Sequence, residues 1–148
     1  GIIEPQATIS TCFGAPFLPL HPTVYARMLG ERLERHRAST WLVNTGWTGG
    51  PYGVGSRISI AYSRAVIRAA LSGALDEVEY DIDPVFGFQV PRSCPEVPAD
   101  VLNPRRTWQD PAAYDTAALG LAGRFTASFG QYADQAPSEV AAAGPRTG

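Results

Sequence analysis

Five glycines crowd ten positions of the segment NTGWTGGPYGVG, at Gly46, Gly49, Gly50, Gly53 and Gly55, and Arg57 follows closely. Glycine permits positive φ and lets a backbone approach a ligand, so such a cluster can cradle phosphate on its N–H groups. The spacing matches neither the dinucleotide fingerprint G-x-G-x-x-G nor the P-loop G-x-x-x-x-G-K-[ST], and the run leads into a strand pattern rather than a helix start. A flexible loop or wide hairpin is the competing reading. Arg57 favours a ligand, because a guanidinium there can pair with phosphate or lie flat on a purine ring. The same residue could equally be a surface arginine laid over its own strand. Ser63, near the start of the next helical pattern, has a hydroxyl suited either to a base edge or to its own helix backbone.

Other reactive side chains are sparse. His21 and His36 have no second histidine at ligand spacing, and His36 reads as a helix-face residue. Cys12 and Cys94 are far apart with no C-x-x-C spacing, so two reduced thiols are expected rather than a disulfide or a zinc site. Cys12 has no nearby basic group to make it a nucleophile. Asp81 and Asp83 share one face of a predicted strand, where metal binding competes with a solvated edge. All twelve basic side chains are arginines. The absence of lysine removes a P-loop lysine and every Schiff-base or lysine-base mechanism from this segment.

The elements that must position these residues follow from periodicity. Residues 1–20 read as a long loop rich in proline and small residues. A helix begins at Pro22, with Val24, Tyr25, Met28, Leu29, Leu33 and His36 at helical spacing and Arg27/Glu31 and Glu31/Arg35 as i,i+4 pairs. The apolar run 40–45 predicts a buried strand, and residues 57–60 predict an alternating strand with Arg57 and Ser59 on one face. A second helix from about Ser63 carries Val66, Ile67, Ala70 and Leu71 as its apolar stripe and stops at Gly73. Residues 77–91 predict one or two strands interrupted at Asp83-Pro84. Asp110-Pro111 opens a long third helix with Tyr114, Ala118, Leu121, Phe125, Phe129 and Tyr132 on its apolar face. Gly120, Gly123 and Gly130 each cost that helix about 1 kcal/mol against alanine, so packing must hold it. A short helix spans 138–143. The pattern predicts an α/β fold in one domain, a mixed sheet with flanking helices.

Composition narrows the function. The net charge of −2 offers no footprint for nucleic acid, and no apolar run is long enough to span a membrane. Charged residues make up 18%, below the usual quarter, so a partner segment is expected to cover more surface than normal. The chain opens at Gly1 without methionine and reads as the later part of something longer, lying in the cytoplasm.

The stretches EPQATISTCFGAPFLPLHPTVYA, WLVNTGWTGG, RISI, SRAVIRAALSG, DPVFGFQVP, VLNPRRTW and VAAAGP occur in this order. Together they resemble the C-terminal portion of the ATP-dependent phosphoenolpyruvate carboxykinases over essentially the whole chain. The resemblance implies the C-terminal segment of a mononucleotide-binding domain, with Glu4 to Thr11 matching the end of a mobile lid. It implies an enzyme that converts oxaloacetate and ATP to phosphoenolpyruvate, carbon dioxide and ADP in gluconeogenesis. The P-loop, the oxaloacetate arginines and the ligands of Mn2+ or Mg2+ are then expected upstream. No catalytic or metal residue is assigned here, and the isolated segment is expected to be inactive. Arg57 and Ile58 match the family's Arg-Ile pair beside adenosine, and Ser63 matches its threonine six residues after that arginine. Ala61-Tyr62 stands where many members have Lys-Asp, and GGPYGVG is longer than the family's shortest loops. A stand-alone, non-catalytic nucleotide-binding or scaffold domain is the alternative.

Overall fold

The computed structural model describes residues 8–10 and 14–146. Cys12 and most of the expected lid edge lie outside them. After a 3-10 turn at Ala15–Phe17, helix α1 runs Pro22–His36. Pro22 occupies its first position, where the missing N–H costs nothing, and Arg37 closes it in the left-handed region at φ 49°. The Arg27–Glu31 pair forms at 2.8 Å.

Strands β1 (Trp47–Thr48) and β2 (Ser56–Arg57) make an antiparallel ribbon, and β3 (Tyr80–Ile82) and β4 (Gln89–Pro91) make another. Helices and strands are thus mixed as expected, but among the described residues the strands form two separate ribbons rather than one mixed sheet. The predicted strand at 40–45 is irregular and pairs with no strand among the described residues, and Leu42 is 76% exposed. An apolar run becomes a strand only when another edge meets its backbone groups. In the β3–β4 hairpin the expected break falls at Asp83. Its Oδ1 accepts from Val85 N at 3.0 Å and Phe86 N at 2.6 Å, and Gly87 completes the turn at φ 71°. Asp81 is held by Arg92 Nε at 2.7 Å, so both aspartates serve local structure.

Helix α2 spans Ile60–Ser72 and starts three residues earlier than the sequence suggests, because Ser59 is its N-cap. The Ser59 side chain accepts from Tyr62 N at 3.1 Å. Its stop at Gly73, φ 75°, is as expected. The expected apolar stripe is half right: Val66 and Ala70 pack against the core, whereas Ile67 and Leu71 do not. The buried residues are Ala65 and Ala69, which pack with Leu75, Cys94 and Val97, flanked by Trp41, Tyr62, Val66 and Val78. Leu75 is 1% exposed and contributes about 1.5–3 kcal/mol by burial. Ile60, Ile67 and Leu71 are 71%, 44% and 83% exposed. At 3.6 residues per turn Ile67 lies about 200° round from Ala65, so α2 is apolar on two opposite sides.

Short helices α3 (Ala99–Leu102) and α4 (Pro104–Thr107) lead to α5 (Pro111–Phe129), which Asp110 caps through Ala112 N at 2.8 Å. Its fully buried positions are Ala118, which the expected stripe includes, and Ala122 one turn on; Tyr114, Phe129 and Tyr132 of that stripe are half-buried. Leu121 and Phe125 remain 39% and 43% exposed, with Phe125 edge-on to Phe86 at 6.4 Å. A 3-10 stretch (Gly130–Gln135) and α6 (Ser138–Ala142) complete the chain. The accessible surface is 11119 Å², whereas a compact monomer of this length exposes about 7,300 Å². Cys94 is buried and free, and burial pushes its thiol pKa up, with Glu96 adding to the effect.

Candidate functional site

The glycine segment folds into the β1–β2 hairpin, with Trp47 opposite Arg57 and Thr48 opposite Ser56. Asn44 fixes its entry. Its Oδ1 accepts from Gly46 N at 2.9 Å and its Nδ2 donates to the Trp47 carbonyl at 3.1 Å. This arrangement satisfies two main-chain groups that the short ribbon leaves unpaired. At the far end Gly49 and Gly50 adopt φ 81° and 153°, which only glycine takes up without strain. Gly55 passes between two main-chain oxygens, so that a Cβ there would lie 2.5 Å from Gly50 O and 2.6 Å from Thr48 O.

Alternation gives the ribbon two unlike faces. On one, Thr48 Oγ1 lies 2.8 Å from Thr107 Oγ1, and the Thr107 hydroxyl donates to the Pro104 carbonyl at 2.7 Å. Thr107 has one proton to give, so Thr48 is the donor of the shared bond. This pins the hairpin to α4. Trp47 and Arg57 stand on the other face, opposite each other, and both are exposed. Arg57 makes no ion pair or hydrogen bond among the described residues. Ile58 is half-buried, and its N–H donates to the Gly46 carbonyl at 2.9 Å, which carries the hairpin directly into the start of α2.

Ser63 lies in the first turn of α2, where its Oγ donates to the Ser59 carbonyl at 3.2 Å. The backbone alternative weighed for this hydroxyl is therefore realised. It also fixes what the hydroxyl can offer outward. With its single proton directed at Ser59, the oxygen presents lone pairs and acts toward a ligand as an acceptor. Arg57, Ile58 and Ser63 thus fall within one hairpin exit and one helical turn, with Ser59 as the hinge between them. Ser59 as N-cap was legible from a serine before an apolar helical run. The Thr48–Thr107 contact, across 59 positions, had no sequence signal.

Among the described residues no group of three or more His, Cys, Asp or Glu converges, so they do not fit a divalent metal ion. No helix among them is long and apolar enough to cross a membrane. A cavity of about 930 Å³ lies elsewhere, between α1 and the C-terminal helices. Leu18, Leu20, Leu29, Phe129, Tyr132 and Val140 line it. Arg27, Glu31, Glu34 and Glu139 also line it, but Arg27 is already paired with Glu31, and the hairpin with its exposed Arg57 remains the better candidate for chemistry.

The sequence pattern of the family described as Phosphoenolpyruvate carboxykinase matches residues 1–100. The chain is 61% identical to Phosphoenolpyruvate carboxykinase (ATP) 2 of Moorella thermoacetica over 98% of its own length and 27% of that protein. It is 59% identical to Phosphoenolpyruvate carboxykinase (ATP) of Thermus thermophilus over 99% of its length and 28% of that protein. The corresponding protein of Flavobacterium johnsoniae is 52% identical over 99% and 28%. The chain therefore spans little more than a quarter of the length of the curated relatives it matches.

Proposed function

The chain belongs to the phosphoenolpyruvate carboxykinase family, and on that premise we propose that it supplies the adenosine end of the ATP site. The whole enzyme of which it forms part converts oxaloacetate and ATP to phosphoenolpyruvate, carbon dioxide and ADP, a cytoplasmic, gluconeogenic activity. The segment is the C-terminal part of the nucleotide-binding domain. Oxaloacetate, the reacting phosphates and any Mn2+ or Mg2+ are handled by residues outside it. No step of phosphoryl transfer is assigned to side chains of this chain, and alone it has no carboxykinase activity.

The observation that carries this reading is Arg57, an exposed guanidinium with no partner among the described residues, on the free face of a ribbon whose other face is pinned to α4. A planar cation held this way favours an anionic ligand with a flat ring. Ile58 offers an apolar edge, and Ser63 an acceptor one turn on. The surface disfavours the stand-alone alternative: α2 exposes Ile60, Ile67 and Leu71 on one side, and the chain leaves about half as much area again as a compact monomer would. That face suits contact with the remaining three-quarters of the polypeptide.

Replacement of Arg57 in the full-length enzyme tests the assignment. A partly desolvated cation–π or charge-assisted contact is worth about 1.4 kcal/mol or more, so Arg57→Ala should raise the KM for ATP by about tenfold. Arg57→Lys should recover part of this, since it keeps the charge and loses the planar fork. The KM for oxaloacetate should hardly change. An unchanged KM for ATP with a raised KM for oxaloacetate would remove Arg57 from the nucleotide.

A further inference from the structure

We propose that Trp47 and Tyr52 form a stacking platform for the purine base, an inference that rests on placing the nucleotide beside Arg57. Trp47 is the direct cross-strand partner of Arg57, so the two side chains rise from the same face of the ribbon. The opposite face is closed by the Thr48–Thr107 bond, which leaves this one free. The positive-φ glycines at 49 and 50 turn the chain back so that Tyr52 meets Trp47 edge-to-face, with ring centroids 5.9 Å apart and planes at 67°. Both rings nevertheless remain open to solvent, Trp47 at 46% and Tyr52 at 56% exposure.

Two large aromatic rings are held against each other and left half in water on the same face as an exposed arginine. An indole so held offers a flat, uncharged surface of the kind on which bases stack, and the tyrosine edge stops it from rotating. A base laid on the Trp47 ring has the Arg57 guanidinium along one side, within reach of the ribose or phosphates. The platform selects for an aromatic base without reading its edge. Discrimination among bases is left to Ser63.

The test uses the full-length enzyme and two probes, ATP and inorganic tripolyphosphate, which has the charge but no base. Base–aromatic stacking measured by alanine substitution corresponds to about tenfold in affinity. Trp47→Ala should weaken ATP by about that factor and leave tripolyphosphate unchanged. Tyr52→Ala should have a smaller effect in the same direction, and Trp47→Phe should retain most of the affinity. ATP, but not tripolyphosphate, should shield from acrylamide the part of the tryptophan emission that Trp47→Phe removes. That shielding decides the matter if Trp47→Ala does not fold, and its absence would overturn the platform. Equal loss of ATP and tripolyphosphate in Trp47→Ala would also overturn it, by showing a structural role. If Arg57→Ala weakens ATP while Trp47→Ala does not, the platform fails and the nucleotide assignment stands. If neither does, both fail.

Discussion

Replacing Ser63 separates a hydroxyl that reads a base from one that only trims a helix. Its proton goes to the Ser59 carbonyl at 3.2 Å, so toward a ligand the oxygen is an acceptor. Adenine offers a donor, the exocyclic amine, at the position where hypoxanthine carries a carbonyl oxygen. Ser63→Ala should therefore remove one neutral hydrogen bond to ATP, about 1 kcal/mol or roughly fivefold in affinity. It should leave ITP unaffected or slightly improved, because two facing acceptors no longer meet. The fold should absorb the change, since the Ser59 carbonyl still accepts from Ser63 N at 3.0 Å. Ser63→Thr keeps the hydroxyl and the same backbone bond, and should be near neutral for both nucleotides. The assay is kcat/KM for ATP and ITP in the full-length enzyme, expressed as their ratio. If Ser63→Ala lowers both nucleotides equally, or neither, Ser63 does not read the base.

Three further outcomes follow from the coordinates. Gly55→Ala should disrupt the hairpin, since its new methyl would meet two main-chain oxygens that cannot yield; about 1–3 kcal/mol is expected by denaturant unfolding, with loss of ATP binding although Arg57 is untouched. Gly120→Ala and Gly123→Ala meet nothing within 4 Å here, so in the 148-residue chain each should stabilise α5 by about 1 kcal/mol in thermal unfolding. The same changes should destabilise the full-length enzyme if another part of the polypeptide covers that face closely, and equal gains in both would argue against such cover. Finally, Arg105 holds Asp115 through Nε–Oδ1 and Nη2–Oδ2 bonds of 2.8 and 2.9 Å and lowers its pKa. A depressed carboxyl contributes stability above its unfolded value of about 3.9, and that contribution is lost as pH falls through the folded value. Asp115→Asn should flatten the acid limb of melting temperature against pH below about 4, and an unchanged limb would show that the pair adds nothing.

What the sequence made legible was local chemistry. Pro22, Gly73 and Asp110-Pro111 set helix ends through their own backbone geometry, and all three act where they were expected to. The glycine cluster produces a hairpin because positive φ is a property of individual residues. Arg57, Ile58 and Ser63 are brought to one strand exit and one helical turn because they lie within seven positions of each other. What failed depended on distant partners. The run 40–45 has strand composition but meets no edge among the described residues, and the pinning of the hairpin by Thr107 crosses 59 positions. Misplacing the start of α2 at Ser63 rather than Ser59 came from reading RISI as alternation, although its last residue already belongs to the helix.

The members of the α2 and α5 stripes that stay exposed share one cause, and it bears on what this segment is for. In both helices the fully buried positions are alanines, 65 and 69 in one and 118 and 122 in the other, and of these the expected stripes held only Ala118. Alanines permit close approach by whatever lies beside them, while Ile60, Ile67, Leu71, Leu121 and Phe125 stay on open faces. A helix apolar on both sides is stable in water only when both sides are covered. Periodicity identified those residues as core-forming correctly in kind; it could not say which core. The Ala65 and Ala69 face of α2 belongs to the core formed with Leu75, Cys94 and Val97. The aliphatic and aromatic faces fit a second core, completed by chain beyond the quarter of the enzyme represented here. The hairpin bearing Arg57 is pinned by Thr48 to Thr107 of α4 and open on its Trp47 face.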